Sequence, residues 1–370
     1  MSEIDLIEAA EVLLPCQDIG ESLDFFVDQL GFQMKLIFPA DGPREAVLEG
    51  YGLRLRLSRA HSGINPGHLR LMSMEPTKIA GGKQRLRAPN GTLIDIVDAD
   101  PPQVIPEPPA ELVIQRLAGE ASWGTGRAGM QYRDLIPGRL NGSFIGSHIR
   151  ILNGGPVPDY VHFHKIRFQM IFCYKGWVKV AYEAQSETMT MRPGDCFLQP
   201  PGIRHQVLEC SDGMEVIEIT CPAEHDTIPD PVMVLPAAET IADQEYHGQK
   251  FVFHEAAKTD WQSWRLPGFE ARDIGIGAAT GGLAGARVAR RVGNHDERAR
   301  CHLGEFAFMF VLHGHVTLNT DGGPNILRAG DCASVPPGLP HSLQDASKDL
   351  EILDVTLPAD LPVELAEQNS

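Results

Sequence analysis

Residues 155–176 read GPVPDYVHFHKIRFQMIFCYKG, and residues 193–205 read PGDCFLQPPGIRH. The first stretch sets His162 and His164 two apart in an apolar, strand-like run. Side chains two apart on a strand leave the same face, so the two imidazoles converge. The second stretch supplies a tight turn, a short strand and a third histidine, His205. Three neutral imidazoles suit Fe, Zn, Cu, Ni or Mn, with coordination positions left open for water or substrate. A lone His-x-His would read equally well as strand histidines satisfied by hydrogen bonds. The third histidine behind the turn favours the metal.

The same signals return further along the chain. Arg133-Asp134, Gly142 and Gly146 reappear as Arg272-Asp273, Gly281 and Gly285, at a shift of 139 residues. His164 and Gly176 match His302 and Gly314. Gly194-Asp195-Cys196, Pro200-Pro201-Gly202 and His205 match Gly330-Asp331-Cys332, Pro336-Pro337-Gly338 and His341, now at a shift of 136. The run EVIEIT from Glu215 matches EILDVT from Glu351 at that same shift. A register that drifts only between matches is the mark of duplication with small loop changes. The C-terminal part of the chain is therefore read as a repeated β domain, its short apolar runs punctuated by glycine and proline.

These residues resemble the two motifs of the cupin superfamily, H-x-H-x(3,4)-E-x(6)-G and G-x(5)-P-x-G-x(2)-H. The resemblance implies a mainly β chain of two tandem cupin jelly-roll barrels, a bicupin, with metal inside a barrel. Its ligand set would be His162, His164 and His205. The motif's glutamate is replaced by Gln169, a neutral amide that binds metal weakly and cannot serve as a carboxylate base. The centre would be one charge more positive and would favour an anion bound through two oxygens. Cupins with three histidines that cleave β-diketones, gentisate or salicylate are similar in ligand set. Gln169 and Gln199 are the candidate catalytic groups, and Arg167, Arg204 and Phe197 the candidate substrate contacts, although ion pairs and core packing are competing roles for these. In the second repeat the matching positions are Arg300, His302, Ala307 and His341. Glu305, three residues after His302, points to the opposite strand face. This repeat reads as a degenerate site and a packing partner, so one divalent metal per chain is expected. Fe(II) is favoured, with Zn, Mn or Ni as alternatives.

Before the repeats, Val12–Cys16 reads as a strand, Glu21–Leu30 as an amphipathic helix, and 32–38, 45–49 and 53–58 as three more strands. This stretch, with Leu30-Gly31-Phe32 after the helix and a final strand in Pro89–Ile96, resembles the βαβββ module of the glyoxalase, or vicinal oxygen chelate, superfamily. The resemblance implies metal ligands at Glu11, His68 and Asp95. The interval from His68 to Asp95 is too short for a full second module, by a helix and a strand. The module therefore reads as degenerate, used for dimerisation or for covering a barrel.

Proline-dense segments at 98–109 and 221–236 divide the chain into a module at 1–98, a linker at 99–110, a first cupin at 111–228 and a second at 229–370. A formal charge of −17 argues against nucleic-acid backbones as partners, and no apolar run reaches membrane-spanning length. Seven scattered cysteines without a C-x-x-C pair, and an N-terminus unlike a signal peptide, predict reduced thiols and a cytoplasmic protein. The leading expectation is an Fe(II) dioxygenase acting on a small oxygen-rich anion, as a homodimer. The alternatives are a Zn- or Mn-dependent isomerase or lyase and a non-catalytic metabolite-binding bicupin.

Overall fold

The computed structural model describes residues 7–16, 18–29, 32–50, 52–61, 68–87, 93–118, 122–295 and 297–366. The chain forms two compact units. One holds Met1–Val104 with the short segments His162–Lys165 and His225–Pro231; the other holds the rest.

The first unit begins with β1 (Ile7–Pro15), followed by a helix over Ile19–Asp24 that continues as a π turn through Phe25–Gln29. Asp18 caps the helix, its Oδ1 accepting the Glu21 backbone N–H at 3.0 Å. Strands β2 (Gln33–Phe38), β3 (Glu45–Gly50) and β4 (Leu53–Ser58) follow. β4 closes the motif by pairing parallel to β1, giving the βαβββ order read from the sequence. Ile19, Leu23 and Phe26 pack onto Ala46, Leu48, Leu55 and Leu57 of the sheet. β5 (His68–Ser73) then pairs antiparallel with β1, and β7 (Leu93–Asp98) pairs parallel with β5 and antiparallel with β6 (Arg85–Arg87). Between β5 and β6 stand two 3-10 turns, Pro76–Lys78 and Ala80–Gly82, in place of a helix. Among the described residues the second half thus has three strands to the first half's four. Leu30, Gly31 and the Pro89–Thr92 part of the final strand's signature lie outside the described residues.

The second unit is built from the duplicated β domain. In the first repeat one sheet runs in the order Val252–His254, Cys196–Leu198, Phe168–Lys175, Met214–Cys221, Ile145–Ile151 and Gln131–Asp134. In the second repeat the matching sheet is Val113–Gln115, Cys332–Ser334, Phe306–His313, Glu351–Leu357, Gly285–Arg291 and Phe269–Asp273. Strand alternation gives each sheet two working faces. Phe168, Met170 and Phe172 point one way and share a core with Phe306, Phe308 and Phe310 of the other repeat. Phe144 stacks on Phe306 within that core at 4.0 Å and 11°. Cys173, with Ile171 against it, points the other way, into the first barrel with Val180, Tyr182 and Phe197.

The repeats exchange strands. Val113–Gln115, from the start of the first repeat, completes the sheet of the second, and Val252–His254, from the start of the second, completes the sheet of the first. One aspartate fastens each exchange. Asp195 accepts the backbone N–H of Arg192 at 2.9 Å and that of Ala256, just past the visiting strand, at 2.8 Å. Asp331 accepts Arg328 N–H at 2.9 Å and Leu117 N–H, just past the other visiting strand, at 2.8 Å. These are the aspartates of the repeated Gly-Asp-Cys. The glycines that close the first motif are equally structural. Gly176 and Gly314 sit at φ 68° and 73°, and a Cβ on either would strike a serine hydroxyl, Ser211 or Ser347.

All seven cysteines are free thiols, and no described helix is long and apolar enough to cross a membrane.

Candidate metal centre

His162 and His164 occupy the strand His162–His164, and His205 opens the strand His205–Cys210. All three are buried, and their ligand nitrogens lie within 4.8 Å of one another. The two-apart spacing does what strand geometry requires, because Phe163 between them faces away and is partly exposed. Two of the rings are oriented from behind. His205 Nδ1 meets the Ile203 carbonyl oxygen at 3.1 Å. A carbonyl can only accept, so Nδ1 carries the proton and Nε2 the lone pair. His164 Nδ1 meets the Thr227 hydroxyl at 3.0 Å, with Thr227 fully buried, and the same tautomer follows when that hydroxyl accepts. Metal-binding histidines are held in this manner, the outer nitrogen hydrogen-bonded and the inner one presented to the ion. His225 packs edge-on against His164 at 5.2 Å, and Tyr182 stacks on His205 at 5.7 Å. The donor set and its supports fit a divalent metal.

Gln169 and Gln199, the candidate catalytic groups, are brought together, with Gln199 N–H donating to the Gln169 backbone oxygen at 3.0 Å. Both side chains are buried. Gln169 donates its amide to Glu218 Oε1 at 2.7 Å, and Thr220 Oγ1 donates to the same oxygen at 3.0 Å. Glu218 explains the departure from the motif. A glutamate at position 169 would set two carboxylates against each other at hydrogen-bonding distance, whereas the amide makes a donor–acceptor pair. The barrel therefore keeps a carboxylate, supplied by a different strand. Burial pushes the Tyr182 hydroxyl well above its usual range, opposed in part by a hydrogen bond from Gln199. Tyr182 is therefore a neutral phenol at physiological pH.

The other candidates are placed as follows. Phe197 is core, between Tyr182 and Phe253. Arg167 pairs with Glu305 at 2.6 Å, and Arg204 leans on Glu183 at 3.7 Å. Glu11 is fully buried but held by guanidiniums: Arg56 at 2.8 Å, Arg54 at 3.0 Å and Arg70 at 3.7 Å. Arg70 stands opposite Glu11 on one side and Asp95 on the other, and Asp95 is held by Arg85 at 2.6 Å. The two acids face arginines rather than one another. His68 lies on β5, and its side chain is outside the described residues. In the second repeat Arg300 and His302 share a strand, and His341 opens the strand that pairs beside it, opposite Arg300. His302 differs from His164 in its tie, donating Nε2–H to the Val335 carbonyl at 2.8 Å. The nitrogen that would face a metal is spent on the backbone.

Sequence reasoning missed Glu218, Thr220, Thr227 and His225. Glu218 was visible only as part of the repeated EVIEIT run, and Thr227 and His225 lay in a proline-rich stretch read as a separator.

A cupin-domain family model matches residues 288–356, inside the second repeat. No curated protein matches the sequence. Among solved structures, a variant of salicylate 1,2-dioxygenase from Pseudoaminobacter salicylatoxidans superimposes with a TM-score of 0.53 at 14% identity, over 72% of this chain and 91% of its own. The same organism's enzyme as adducts with gentisate gives 0.53 at 16%, over 72% and 87%. Oxalate decarboxylase from Lactobacillus farciminis, in a formate complex, gives 0.50 at 13%, over 68% and 88%. At such identities the likeness is one of fold. The chain thus carries the cupin jelly roll twice, with the family's sequence pattern in residues 288–356 and the three-histidine cluster in the other repeat.

Proposed function

We propose that the chain is a metal-dependent dioxygenase, with Fe(II) held by His162, His164 and His205, acting on a small oxygen-rich anion such as an aromatic or diketone catabolite. The observation that carries the reading is the cluster of three buried imidazoles, two of them braced through Nδ1. Bound there, the metal would supply a Lewis-acidic, redox-capable centre with positions open to substrate oxygens and dioxygen. The protein's part is to hold and exclude. Ile203 and Thr227 orient two of the rings. Glu218, held by Gln169 and Thr220, offers a carboxylate to take a proton from a hydroxyl of the substrate. The neutral Tyr182 phenol and Phe197 keep the interior dry. The solved dioxygenase with gentisate supports the substrate class by fold likeness.

On this reading the N-terminal module, with Glu11 and Asp95 neutralised by arginines, is a packing or dimerisation element rather than a second metal site. The protein would act as a cytoplasmic homodimer, which size measurement in solution tests. For the function itself, protein reconstituted anaerobically with Fe(II) is offered gentisate, salicylate and a β-diketone, with oxygen uptake and ring or chain cleavage recorded. Oxygen consumption matched to product, and lost in His162→Ala, supports the reading. Substrate turnover without oxygen uptake would overturn it in favour of a lyase or isomerase.

A further inference from the structure

The two repeats treat one buried position differently. In the first, His148 is fully buried and stands opposite Arg133 across paired strands, and its ring bridges two charged groups. Arg133 Nη2 lies 3.1 Å from His148 Nδ1, and His148 Nε2 lies 2.8 Å from Glu215 Oε2. A guanidinium can only donate, so Nδ1 accepts and the Nε2–H donates to the carboxylate. Trp123, Tyr174 and Phe310 pack edge-on around this neutral ring, their centroids 5.0, 5.7 and 5.8 Å away.

In the second repeat the sheet register puts Val288 at this position, opposite Arg272, with Glu351 where Glu215 stands. The frame around it is kept: Arg290 lies over Trp261 at 3.9 Å as Arg150 lies over Trp123 at 3.8 Å. Where the imidazole would stand there is a cavity of about 150 Å³, lined by Arg272, Val288, Glu351, Phe172, Tyr174 and His254. A cavity of that size is known to take up benzene. We propose that it is a binding site for a small neutral ring of the imidazole type, separate from the three-histidine cluster. One ring nitrogen accepts from Arg272 and the ring N–H donates to Glu351.

The polar groups of the lining are unmet. Arg133 gives Nη2 to His148 and to the Gly330 carbonyl. Arg272 has no hydrogen-bond or ion-pair partner among the described residues; its guanidinium lies over Trp261 at 4.3 Å, and its Nε–H is buried and unmatched. Glu351 likewise has no side-chain partner among the described residues. His254 is 6% exposed, and its Nε2 is buried without a hydrogen-bond partner. Burial holds His254 below the usual imidazole range, so it adds no charge, and His313, which also borders the cavity, is exposed to solvent. One guanidinium and one carboxylate then balance, which favours a neutral ligand over an ion of either sign. A ring with one lone pair and one N–H answers both groups, and Phe172 and Val288 meet its flat faces and edges.

The test uses the full-length chain carrying His205→Ala, which keeps imidazole from binding through a metal at the other cluster. It is titrated with imidazole at about pH 8, where the free ring is neutral, with the indole N–H resonances and thermal unfolding as readouts. Saturable one-to-one binding at millimolar concentration is expected, shifting the Trp261 signal. Arg272→Met should weaken it by about tenfold or more. So should exchange of the ligand for 1-methylimidazole, which keeps the acceptor nitrogen and has no N–H to give Glu351. Val288→His supplies the ring from the chain itself, as His148 does, and should abolish binding while thermal unfolding shows the fold retained. The proposal is overturned if imidazole fails to saturate the protein by tens of millimolar, the result expected if water alone fills the cavity. It is equally overturned if folded Arg272→Met or Val288→His protein binds as the parent does.

Discussion

Replacing Thr227 with valine exchanges one hydroxyl for a methyl behind the candidate metal centre and leaves all three imidazoles in place. Thr227 is fully buried, and its Oγ1 lies 3.0 Å from His164 Nδ1. Water cannot substitute for the lost oxygen without opening the core, and valine fills the same volume, so the change removes a hydrogen bond and little else. Two costs follow. An imidazole N–H left without an acceptor costs about 1–3 kcal/mol, but this falls on the metal-free and metal-loaded protein alike and lowers stability rather than affinity. The second cost is specific to the metal. The ring loses its fixed orientation and the electron donation that raises Nε2 basicity, which is worth about 10- to 100-fold in metal affinity, or roughly 1.4–2.8 kcal/mol. Competition of the metal-free protein with a chromophoric chelator for Co(II) or Zn(II) measures this directly. Thr227→Ser, which restores the hydroxyl, should recover most of the affinity. A folded Thr227→Val protein that binds within about twofold of the parent would refute the assignment of His164 as a ligand through Nε2.

Metal analysis of protein as purified should find close to one ion per chain, lost in His205→Ala and kept in His341→Ala; full metal content in the His205→Ala protein would remove the site. Asp195→Ala strips the acceptor from two part-buried backbone N–H groups, at Arg192 and Ala256, and should cost about 1–3 kcal/mol in urea unfolding. Faster hydrogen exchange in 252–254 should accompany it, and a loss under about 1 kcal/mol would contradict the role given to this residue. His148, His254, His302 and His341 are all held below their ordinary value of 6.5 by burial. As pH falls the unfolded chain takes up protons first, so stability drains away below about 6.5 and is flat above it. A Tm that rises on acidification from neutral would show the sign to be wrong.

The three histidines and the duplication were legible because chemistry of one residue type at fixed spacing survives in a linear string. Elements with strong local signals were legible too. β2, β3 and β4 stand where alternation placed them, and the helix of the first unit begins two residues before its predicted start, at a cap that Asp18 supplies. What the string concealed was set by distance along the chain. Val113–Gln115 and Val252–His254 are three residues each, too short for any periodicity to register. Their partners lie more than fifty residues away in one case and more than two hundred in the other, so their exchange depends on long-range pairing alone. Thr227 braces His164 from across sixty-three residues, out of a stretch whose prolines speak only of a break in regular structure. Gln169 was read as a lost carboxylate because Glu218, which makes that loss sensible, belongs to a strand whose facing is fixed by sheet register.

The two repeats separate frame from chemistry within one chain. Positions that hold the frame are the same in both: Asp195 and Asp331 bind the turn and the visiting strand in the same way, and Gly176 and Gly314 take the same left-handed turn against a serine. Positions that face the interior have diverged. His162 answers to Arg300, Gln169 to Ala307, and Glu218 to Asp354. The carboxylate that takes an amide and a hydroxyl in one barrel takes a bidentate guanidinium in the other. The family pattern is found at residues 288–356, in the barrel that lacks the three-histidine cluster. Turns, glycines and apolar alternation are what any barrel of this kind must keep in order to close. The interior is free to change so long as each buried polar group finds a partner.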